Sequence, residues 1–374
     1  MKTVHLVAAA RPNFMKVAPL WHALAVAPDF RPVLIHSGQH YDANMSDSFF
    51  EDLALPDPDH HLAIGSGTHA EQTGGVMIAY EAIAIAQRPD WLVVVGDVNT
   101  TVACALVAAK LRIPLVHLEA GLRSGDRSMP EEVNRLVTDC LADVLWTPSP
   151  DADRNLLREG VDQQRISRVG NIMLDSFEML RPAIEAEAAA RELGLEPRGY
   201  GVVTLHRPAN VDDSATLERL VDGLVEVQKR LPLVFPVHPR TRARLDGNGL
   251  TPRLVEAGVR LAEPLSYIRF MSLVVDSAAV ITDSGGVQEE TTYLGIPCLT
   301  LRPNTERPIT IEEGTNRLVR ADGLATALDE ALATGGGGMR RPDLWDGQTA
   351  ARCVADLRAR MSGADGFEPV RAAG

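Results

Sequence analysis

The chain has 374 residues, of which 45% are apolar and 23% charged, and it carries a formal charge of −13. This length exceeds what one hydrophobic core ordinarily supports, so two domains are expected, and the negative charge argues against a general nucleic-acid binder, which needs a basic face. The four cysteines are scattered without a CxxC pair, which fits reduced thiols better than disulfides or a zinc site. Neither a signal-peptide pattern nor an apolar run of about 20 residues is visible, so we expect a cytoplasmic enzyme that does not insert into a membrane.

Short strand patterns alternate with longer helical patterns along the chain, which predicts parallel sheets covered by helices on both faces. The first series has predicted strands at 3–9, 31–36, 91–95, 115–117 and 144–147, with helices at 15–26, 100–110 and 131–141. The second has predicted strands at 201–205, 233–237, 259–261, 279–282 and 298–301, with helices at 214–230, 266–275 and 287–294. Two such series predict two doubly wound, Rossmann-like α/β domains with a cleft between them.

Domain boundaries are expected where the second series starts. We assign residues 1–170 to the N-terminal domain and 171–347 to the C-terminal domain, with a polar, alanine-rich helix over 181–198. A last helix at about 348–362 is expected to pack back on the first domain. The glycine run 335–338 is predicted to be a flexible loop and 363–374 a disordered tail.

Three carboxylates lie where the first-half strand patterns end or where a helix follows. Asp97 and Glu119 each come directly after a predicted strand, and Glu131 opens the next helix. Ligands of α/β folds bind at the carboxyl ends of such strands. Carboxylates beside fixed cations such as Arg123 and Arg135 suit a site that moves protons on an anionic substrate. We therefore predict an active site at this edge of the sheet.

A purely structural explanation exists for some of these residues. Asp97, Asn99 or Thr100 could cap the following helix, and capping is the stronger expectation for Asn99 and Thr100. Glu131 and Arg135 are four residues apart and could form an ordinary surface ion pair. Neither explanation accounts for the convergence of three acids.

Cations and histidines also follow predicted strands. Arg11 and Lys16 come after the first strand, although two surface cations would look the same, and no GxGxxG or GxxxxGK[ST] motif supports a dinucleotide site or a P-loop. His206 and Arg207 follow a second-half strand and suit an anionic ligand, and His238 follows the next strand as an expected positioning residue.

The clearest anion-binding pattern lies at 282–290. Ser284, Gly285 and Gly286 open a predicted helix whose first amides can approach a phosphate, and Glu290 lies about two turns further on, placed to accept from sugar hydroxyls. A glycine-rich turn without a ligand is the alternative. Arg307 belongs to a polar loop that either lines the cleft or connects elements.

Together these motifs resemble the non-hydrolysing UDP-N-acetylglucosamine 2-epimerases. The matching segments are GDxNTT at 96–101, HLEAGLRSGD at 117–126, MPEEVNR at 129–135, TDSGGVQEE at 282–290 and TERPITIEEGTNRLV at 305–319. The resemblance implies the glycosyltransferase-B architecture, a homodimer, a UDP-sugar substrate, and neither a cofactor nor a metal. It implies reversible C2 epimerisation of UDP-GlcNAc to UDP-ManNAc by anti elimination of UDP and re-addition through 2-acetamidoglucal, feeding polysaccharide synthesis.

The resemblance also assigns roles to individual residues. It makes Asp97, Glu119, Glu131 and His206 catalytic. It places the substrate against Arg11, Lys16, Arg135, Arg207, His238, Phe270, Ser284, Gly285, Gly286, Glu290 and Arg307. In some members a second UDP-GlcNAc binds beside the substrate, and the corresponding residues, which match only in part, are Gln39, His40 and Gln72.

Alternatives remain open. The segments HYD at 40–42, HRxxN at 206–210 and HPRTR at 238–242 resemble relatives that epimerise UDP-2,3-diacetamido-2,3-dideoxy-glucuronate, whereas TERP and GTN favour UDP-GlcNAc. Many members have His-Arg-Arg-Glu-Asn where this chain has HRPAN. A hydrolysing epimerase would release ManNAc and UDP, a glycosyltransferase would not need three acids, and a sensor would bind without exchanging the C2 proton.

Overall fold

A computed structural model describes residues 1–9, 11–38, 52–334 and 340–362, and of residues 11 and 12 the backbone alone. The chain divides into two compact units, Met1–Met179 together with Asp343–Gly374, and Leu180–Pro342. The predicted loop 335–338 and the predicted tail 363–374 lie outside the described residues. Within the described ranges, no helix is long and apolar enough to cross a membrane.

The first unit is built on one parallel sheet. Its strands are β1 (Lys2–Ala8), β2 (Phe30–His36), β3 (His60–His61), β4 (Trp91–Val95), β5 (Leu115–Leu118), β6 (Val144–Thr147) and β7 (Ile166–Arg168). Its helices are α1 (Arg11–Ala25), α2 (His69–Gln87), α3 (Asn99–Leu111), α4 (Pro130–Leu141), α5 (Pro150–Arg158), α6 (Ile172–Glu187) and, after the second unit, α16 (Thr349–Met361). A short 3-10 helix spans Gln163–Arg165. The strand order is β3-β2-β1-β4-β5-β6-β7.

The second unit repeats this plan. Its strands are β8 (Gly201–Thr204), β9 (Leu233–Pro236), β10 (Arg260–Ala262), β11 (Ala279–Thr282), β12 (Cys298–Thr300) and β13 (Asn316–Leu318). Its helices are α7 (Ala189–Glu192), α8 (Pro208–Val211), α9 (Ser214–Gln228), α10 (Pro239–Gly247), α11 (Thr251–Glu256), α12 (Tyr267–Val275), α13 (Gly285–Leu294), α14 (Ile309–Glu312) and α15 (Leu324–Thr334), with a 3-10 helix at Ala321–Gly323. The strand order is β10-β9-β8-β11-β12-β13.

Both sheets are parallel, and their strand order reverses beside the first strand of each unit. β1 pairs with β2 and β4, and β8 pairs with β9 and β11, all in parallel. Strand β4, with the sequence WLVVV, buries all five residues because helices cover both faces of such a sheet. In doubly wound sheets ligands bind at the carboxyl ends of the strands that flank the reversal. The loops after β1, β4, β8 and β11 are therefore the places to look for a site.

The predicted fold class is confirmed, and each predicted strand is present within one residue at each end. The prediction of one helix over 181–198 was wrong. Helix α6 starts at Ile172 because Leu174, Phe177 and Leu180 are already buried on one face. It ends before Ala188, whose φ of 47° breaks the helical path, and α7 is a separate turn.

Helix α2 was not predicted, because only a narrow stripe of it, at Val76, Tyr80 and Ala84, is buried. Its start does carry a sequence signal. The side chain of Thr68 accepts from the backbone N–H of Glu71, and the Glu71 carboxylate accepts from the backbone N–H of Thr68. These two reciprocal hydrogen bonds form a capping box.

The start of α16 depends on Asp175 of α6. The Asp175 carboxylate accepts from the backbone N–H groups of Thr349 at 3.1 Å and Ala350 at 2.7 Å. Burial raises its pKa despite these bonds. We expect Asp175→Ala to lower the free energy of unfolding by about 1–3 kcal/mol, because two buried donors lose their acceptor.

Urea denaturation measures this change. The control is Asp329→Ala, which removes a half-exposed partner of Arg230 on α15 and should cost less than about 0.5 kcal/mol. Equal losses in both variants would contradict the capping role.

Candidate active site

Two ion pairs lie at the carboxyl edge of the first sheet. The Lys16 ammonium of α1 pairs with the Glu119 carboxylate after β5, and their side chains are 13% and 9% exposed. The Arg135 guanidinium of α4 pairs with the Asp97 carboxylate after β4 at 2.6 Å, with side chains 7% and 28% exposed. Each of the two predicted acids is therefore held by a cation.

The Lys16–Glu119 pair lies against Gly96, the residue before Asp97. A Cβ placed on Gly96 would lie 3.4 Å from Lys16 Nζ and 3.5 Å from Glu119 Oε2. Gly96 has a φ of 68°, a left-handed conformation that favours glycine. Glu119 itself has a φ of 73°, which is rare for a residue with a side chain and is found where functional geometry is fixed by its surroundings. The structure thus places the Lys16–Glu119 pair beside the residue that precedes Asp97 in the chain.

The predicted helix caps after β4 were wrong. The N-cap residue of α3 is Val98, which has no capping side chain. Asn99 instead donates to Gln72 Oε1 at 2.7 Å, and Thr100 donates to Ser37 Oγ at 3.0 Å. The peptide carbonyl of Asp97 is held by Asn134 at 2.9 Å, so side chains of α4 replace the cap in fixing this turn.

The structural alternative for Glu131, a surface ion pair with Arg135, is not the pairing that the structure shows. Arg135 pairs with Glu132 at 2.8 Å, and Glu131 is exposed in the first turn of α4. Burial opposes ionisation of Glu132, but bonds from the N–H groups of Ser124 and Gly125 and the charge of Arg135 lower its pKa overall. Glu132 thus ties α4 to the loop that precedes it.

The second unit places His206 and Arg207 around one buried acid. Asp283, fully buried after β11, accepts from the backbone N–H of Arg207 at 2.9 Å and pairs with His206 Nδ1 at 3.0 Å. Asn210 donates to the same carboxylate at 3.0 Å. Burial alone would raise the pKa of Asp283, but these partners hold it below its usual value. The His206 side chain is 41% exposed and therefore accessible to a ligand.

His238 lies near this histidine. The two ring centroids are 6.0 Å apart. His238 is the N-cap of α10, where its side chain accepts from the N–H of Arg240 at 3.2 Å. Burial, with the charges of His206 and Arg240, lowers the pKa of His238. This placement agrees with a positioning residue rather than a base.

The amino end of α13 is covered by Arg307. A Cβ on Gly285 would lie 2.8 Å from Arg307 Nη1, whereas one on Gly286 would meet nothing within 4 Å. Arg307 pairs with Glu289 at 2.8 Å and with Glu306 at 3.3 Å. Helix amides at Gly285 and Gly286 together with a guanidinium make an anion-binding surface.

A cluster of arginines surrounds Glu306. Arg302 binds it with two bonds of 2.9 and 3.1 Å. Burial would raise the pKa of Glu306, but Arg302, Arg307 and Arg207 lower it to about 2. Burial and the nearby charge of Arg302 in turn lower the pKa of Arg207. A bound anion would relieve this repulsion between cations.

Glu290, one turn after Gly286 on α13, is buried and accepts from the Tyr267 hydroxyl at 2.7 Å. Burial, helped by the charge of Glu289, raises the pKa of Glu290 to about 7. Phe270 lies three residues after Tyr267 on α12 and is partly buried. Tyr267 was not predicted as a site residue.

Three predicted site residues cannot be compared in the same way. Gln39 and His40 lie outside the described residues, as does the side chain of Arg11. Gln72 is described, and its side chain accepts from Asn99, which lies two residues after Asp97 in the chain. Among the residues that the structure describes, no group of three or more His, Cys, Asp or Glu side chains could hold a metal ion.

Comparison with known proteins identifies the family of this chain. A family model described as UDP-N-acetylglucosamine 2-epimerase matches residues 22–358. The UDP-N-acetylglucosamine 2-epimerase of Methanocaldococcus jannaschii is 42% identical over 322 residues, which are 84% of this chain and 87% of that protein. The crystal structure of the Methanocaldococcus jannaschii enzyme in complex with UDP-GlcNAc and UDP has a TM-score of 0.85 and 40% identity, and covers 95% of this chain and 99% of that one. The chain belongs to the UDP-N-acetylglucosamine 2-epimerase family.

The 2-epimerase family has members with different substrates. The UDP-2,3-diacetamido-2,3-dideoxy-D-glucuronate 2-epimerase of Pseudomonas aeruginosa is 37% identical over 362 residues, 94% of this chain and 98% of that protein. The resemblance found in the sequence motifs is confirmed, as is the glycosyltransferase-B-like class of fold.

The raised pKa of Glu290 predicts a pH-dependent stability. Because the folded pKa of about 7 exceeds the ordinary glutamate pKa of 4.5, the folded state binds the proton more tightly than the unfolded state. The stabilisation is complete below about pH 4.5 and is lost as the pH rises through 7, by up to about 1.4 kcal/mol per pH unit. Glu290→Gln should remove this part of the decline, measured by urea denaturation from about pH 5 to pH 8.

Tyr267→Phe is the companion variant. The Tyr267 hydroxyl favours the ionised carboxylate, so its removal should move the decline to higher pH. If wild type and Glu290→Gln have the same pH dependence, Glu290 does not retain its proton near neutrality.

Proposed function

We propose that this chain catalyses the reversible, non-hydrolysing C2 epimerisation of UDP-GlcNAc to UDP-ManNAc by anti elimination and re-addition of UDP. The observation that carries the proposal is the pair of acids at the carboxyl ends of β4 and β5, each held by its own cation. Exchange of a proton on two faces of one carbon needs two acid–base groups, and the first unit supplies them.

In the elimination, a carboxylate takes the proton from C2, a double bond forms between C1 and C2, and the C1–O bond breaks with its electron pair leaving on UDP. In the return step, a UDP oxygen attacks C1 while a second acid protonates C2 on the opposite face. Asp97 and Glu119 are the proposed pair, with Glu131 as a third acid at the start of α4. Lys16 and Arg135 hold the two carboxyl groups in place through the ion pairs.

The second unit is proposed to hold the UDP. Its diphosphate would bind the amides of Gly285 and Gly286 and the guanidinium of Arg307. The C2 proton is weakly acidic, so stabilising the departing diphosphate is a main requirement of catalysis. His206, oriented by Asp283, is proposed to donate to the leaving oxygen.

The nucleoside is assigned to α12 and α13. Glu290, whose second oxygen is not needed by Tyr267, is proposed to bind the ribose hydroxyls, and Phe270 to lie against the uracil. Ser284, His238 and Arg207 complete the proposed contacts. Gln39, His40 and Gln72 are the proposed contacts of a second, activating UDP-sugar.

A second candidate substrate is UDP-2,3-diacetamido-2,3-dideoxy-glucuronate, because the Pseudomonas aeruginosa relative matches nearly the whole chain. A hydrolysing epimerase is a third possibility. Incubation of the protein with each UDP-sugar, followed by proton NMR of the products, separates the three. UDP-ManNAc is the expected product; free ManNAc with UDP, or turnover of the uronate alone, would contradict the proposal.

We also propose that the protein acts as a cytoplasmic homodimer and supplies polysaccharide synthesis, as the resemblance implies. Helix α2 exposes Ile78 and Ile85 on one face, at 77% and 55%, and such a surface is suited to association. Sedimentation of the purified protein as a monomer at micromolar concentration would contradict the homodimer.

Asp97→Asn should reduce kcat by about 10²–10⁴-fold, the usual contribution of a general acid or base. Affinity for UDP, measured by calorimetry, should change by less than about twofold, because UDP is assigned to the second unit. The control is Asp90→Asn, since Asp90 accepts from Thr3 N at 2.8 Å at the opposite end of β4. Turnover of Asp97→Asn at the wild-type rate would refute the catalytic role.

Gly285→Ala should weaken UDP binding about tenfold, or about 1.4 kcal/mol, because the new Cβ would displace the Arg307 guanidinium. Gly247→Ala at the end of α10 is the control, since a Cβ there meets nothing within 4 Å. Unchanged UDP affinity of Gly285→Ala in calorimetry would exclude the amino end of α13 as the diphosphate site.

A further inference from the structure

A chain of charged side chains, buried at His117 and Asp139 and exposed at Glu159, contacts the segments that carry the two acids of the first unit. His117 Nδ1 bonds Asp139 Oδ1 at 2.6 Å, and Asp139 Oδ2 accepts from Arg123 Nη1 at 2.7 Å. Arg123 continues to Glu159 with bonds of 2.8 and 2.7 Å. We call these four residues the Asp139 cluster.

Both nitrogens of the buried His117 ring contact oxygen atoms. His117 Nε2 lies 2.8 Å from the carbonyl oxygen of Gly96, which can only accept, and Nδ1 faces the Asp139 carboxylate. Burial opposes ionisation of Asp139, but His117 and Arg123 lower its pKa overall. The Asp139 carboxylate is therefore held between His117 and Arg123.

The cluster connects the segments that bear the proposed acids. Gly96, which is held by His117, directly precedes Asp97 in the chain. Asp139 Oδ2 also accepts from the N–H of Gly121 at 3.1 Å, two residues after Glu119. Asp139 lies on α4, the helix whose first turn carries Glu131. One carboxylate thus ties the loop after β4, the turn after β5 and α4 together.

The backbone at these contacts explains why a fixed anchor is needed. Glu119, Gly96 and Gly121 have φ values of 73°, 68° and 80°. Left-handed backbone at a residue with a side chain persists only where its surroundings hold it. Charged groups buried for stability alone can usually be replaced by apolar side chains, so the retained charges point to a requirement for geometry.

We propose that Asp139 and His117 are positioning residues for the epimerisation: they hold the Gly96 carbonyl and the Gly121 amide so that Asp97 and Glu119 keep the separation needed on the two faces of C2. This inference rests on the proposed function. Neither residue contacts the substrate in this scheme, so their effect should appear in kcat and not in UDP binding.

The test uses the full chain and three variants. Asp139→Asn keeps the size of the side chain, but its amide cannot accept from His117, Gly121 and Arg123 together. His117→Phe fills the same space without a ring N–H. Asp143→Asn is the matched control, because Asp143 accepts from Leu115 N at 2.8 Å at the other end of β5.

For folded Asp139→Asn and His117→Phe we expect kcat for UDP-ManNAc formation to fall about 10²-fold, since small displacements of reacting groups have effects of this size. The Kd for UDP should stay within about twofold of wild type, and Asp143→Asn should keep kcat within about twofold. Near-ultraviolet circular dichroism checks the fold of each variant. If Asp139→Asn does not fold, the kcat and the UDP affinity of His117→Phe test the positioning role.

The outcomes are separable. Wild-type kcat in either folded cluster variant would overturn the positioning role while leaving the proposed function intact. The positioning role would also be overturned if the cluster variants and Asp143→Asn lost kcat and UDP affinity to the same extent. General destabilisation of the protein would then explain the losses. A wild-type protein that neither converts a UDP-sugar nor releases UDP would overturn the proposed function and this inference with it.

Discussion

The pairing of each first-unit acid with a cation depends on the order of strands in a parallel sheet. β1, β4 and β5 are neighbours, so the loops at their carboxyl ends lie side by side. Lys16 reaches Glu119 across 103 positions of sequence only because of this order. In a water-poor setting, charges so close interact far more strongly than on a surface, so each ion pair fixes the position of its acid.

In the second unit, the same kind of strand order brings a different set of side chains together. The loops after β8 and β11 are neighbours, and the buried carboxylate of Asp283 joins them by binding His206 and Arg207. Around α13 the guanidinium groups of Arg302 and Arg307 pair with Glu306 and Glu289, and burial together with the charge of Arg302 lowers the pKa of Arg207. Proton transfer and anion binding are thus assigned to separate units of one chain.

Much of this arrangement follows from the sequence. Asp97, Glu119 and His206 could be predicted because a polar residue after an apolar strand of a parallel sheet lies at its carboxyl edge. The ion pairs could not be predicted, because they join distant segments. Local pattern misled at Asn99 and Thr100, where tertiary contacts replaced capping. Spacing also left open a pairing of Glu131 with Arg135, but Arg135 pairs with the neighbouring Glu132.

Buried acids were the main omission. Asp139 lies on α4 and Asp283 directly follows β11, and nothing in the local sequence indicates that each binds backbone groups of another segment. Their importance follows from burial, since a buried carboxylate requires several donors and thereby fixes the segments that supply them.

The most direct measurement is the proton NMR spectrum of UDP-GlcNAc incubated with the protein in deuterated water. Elimination and re-addition predict deuterium at C2 in both UDP-GlcNAc and UDP-ManNAc at equilibrium, with no free ManNAc. UDP-ManNAc that retains the original C2 hydrogen would contradict proton removal by the carboxylates of the first unit.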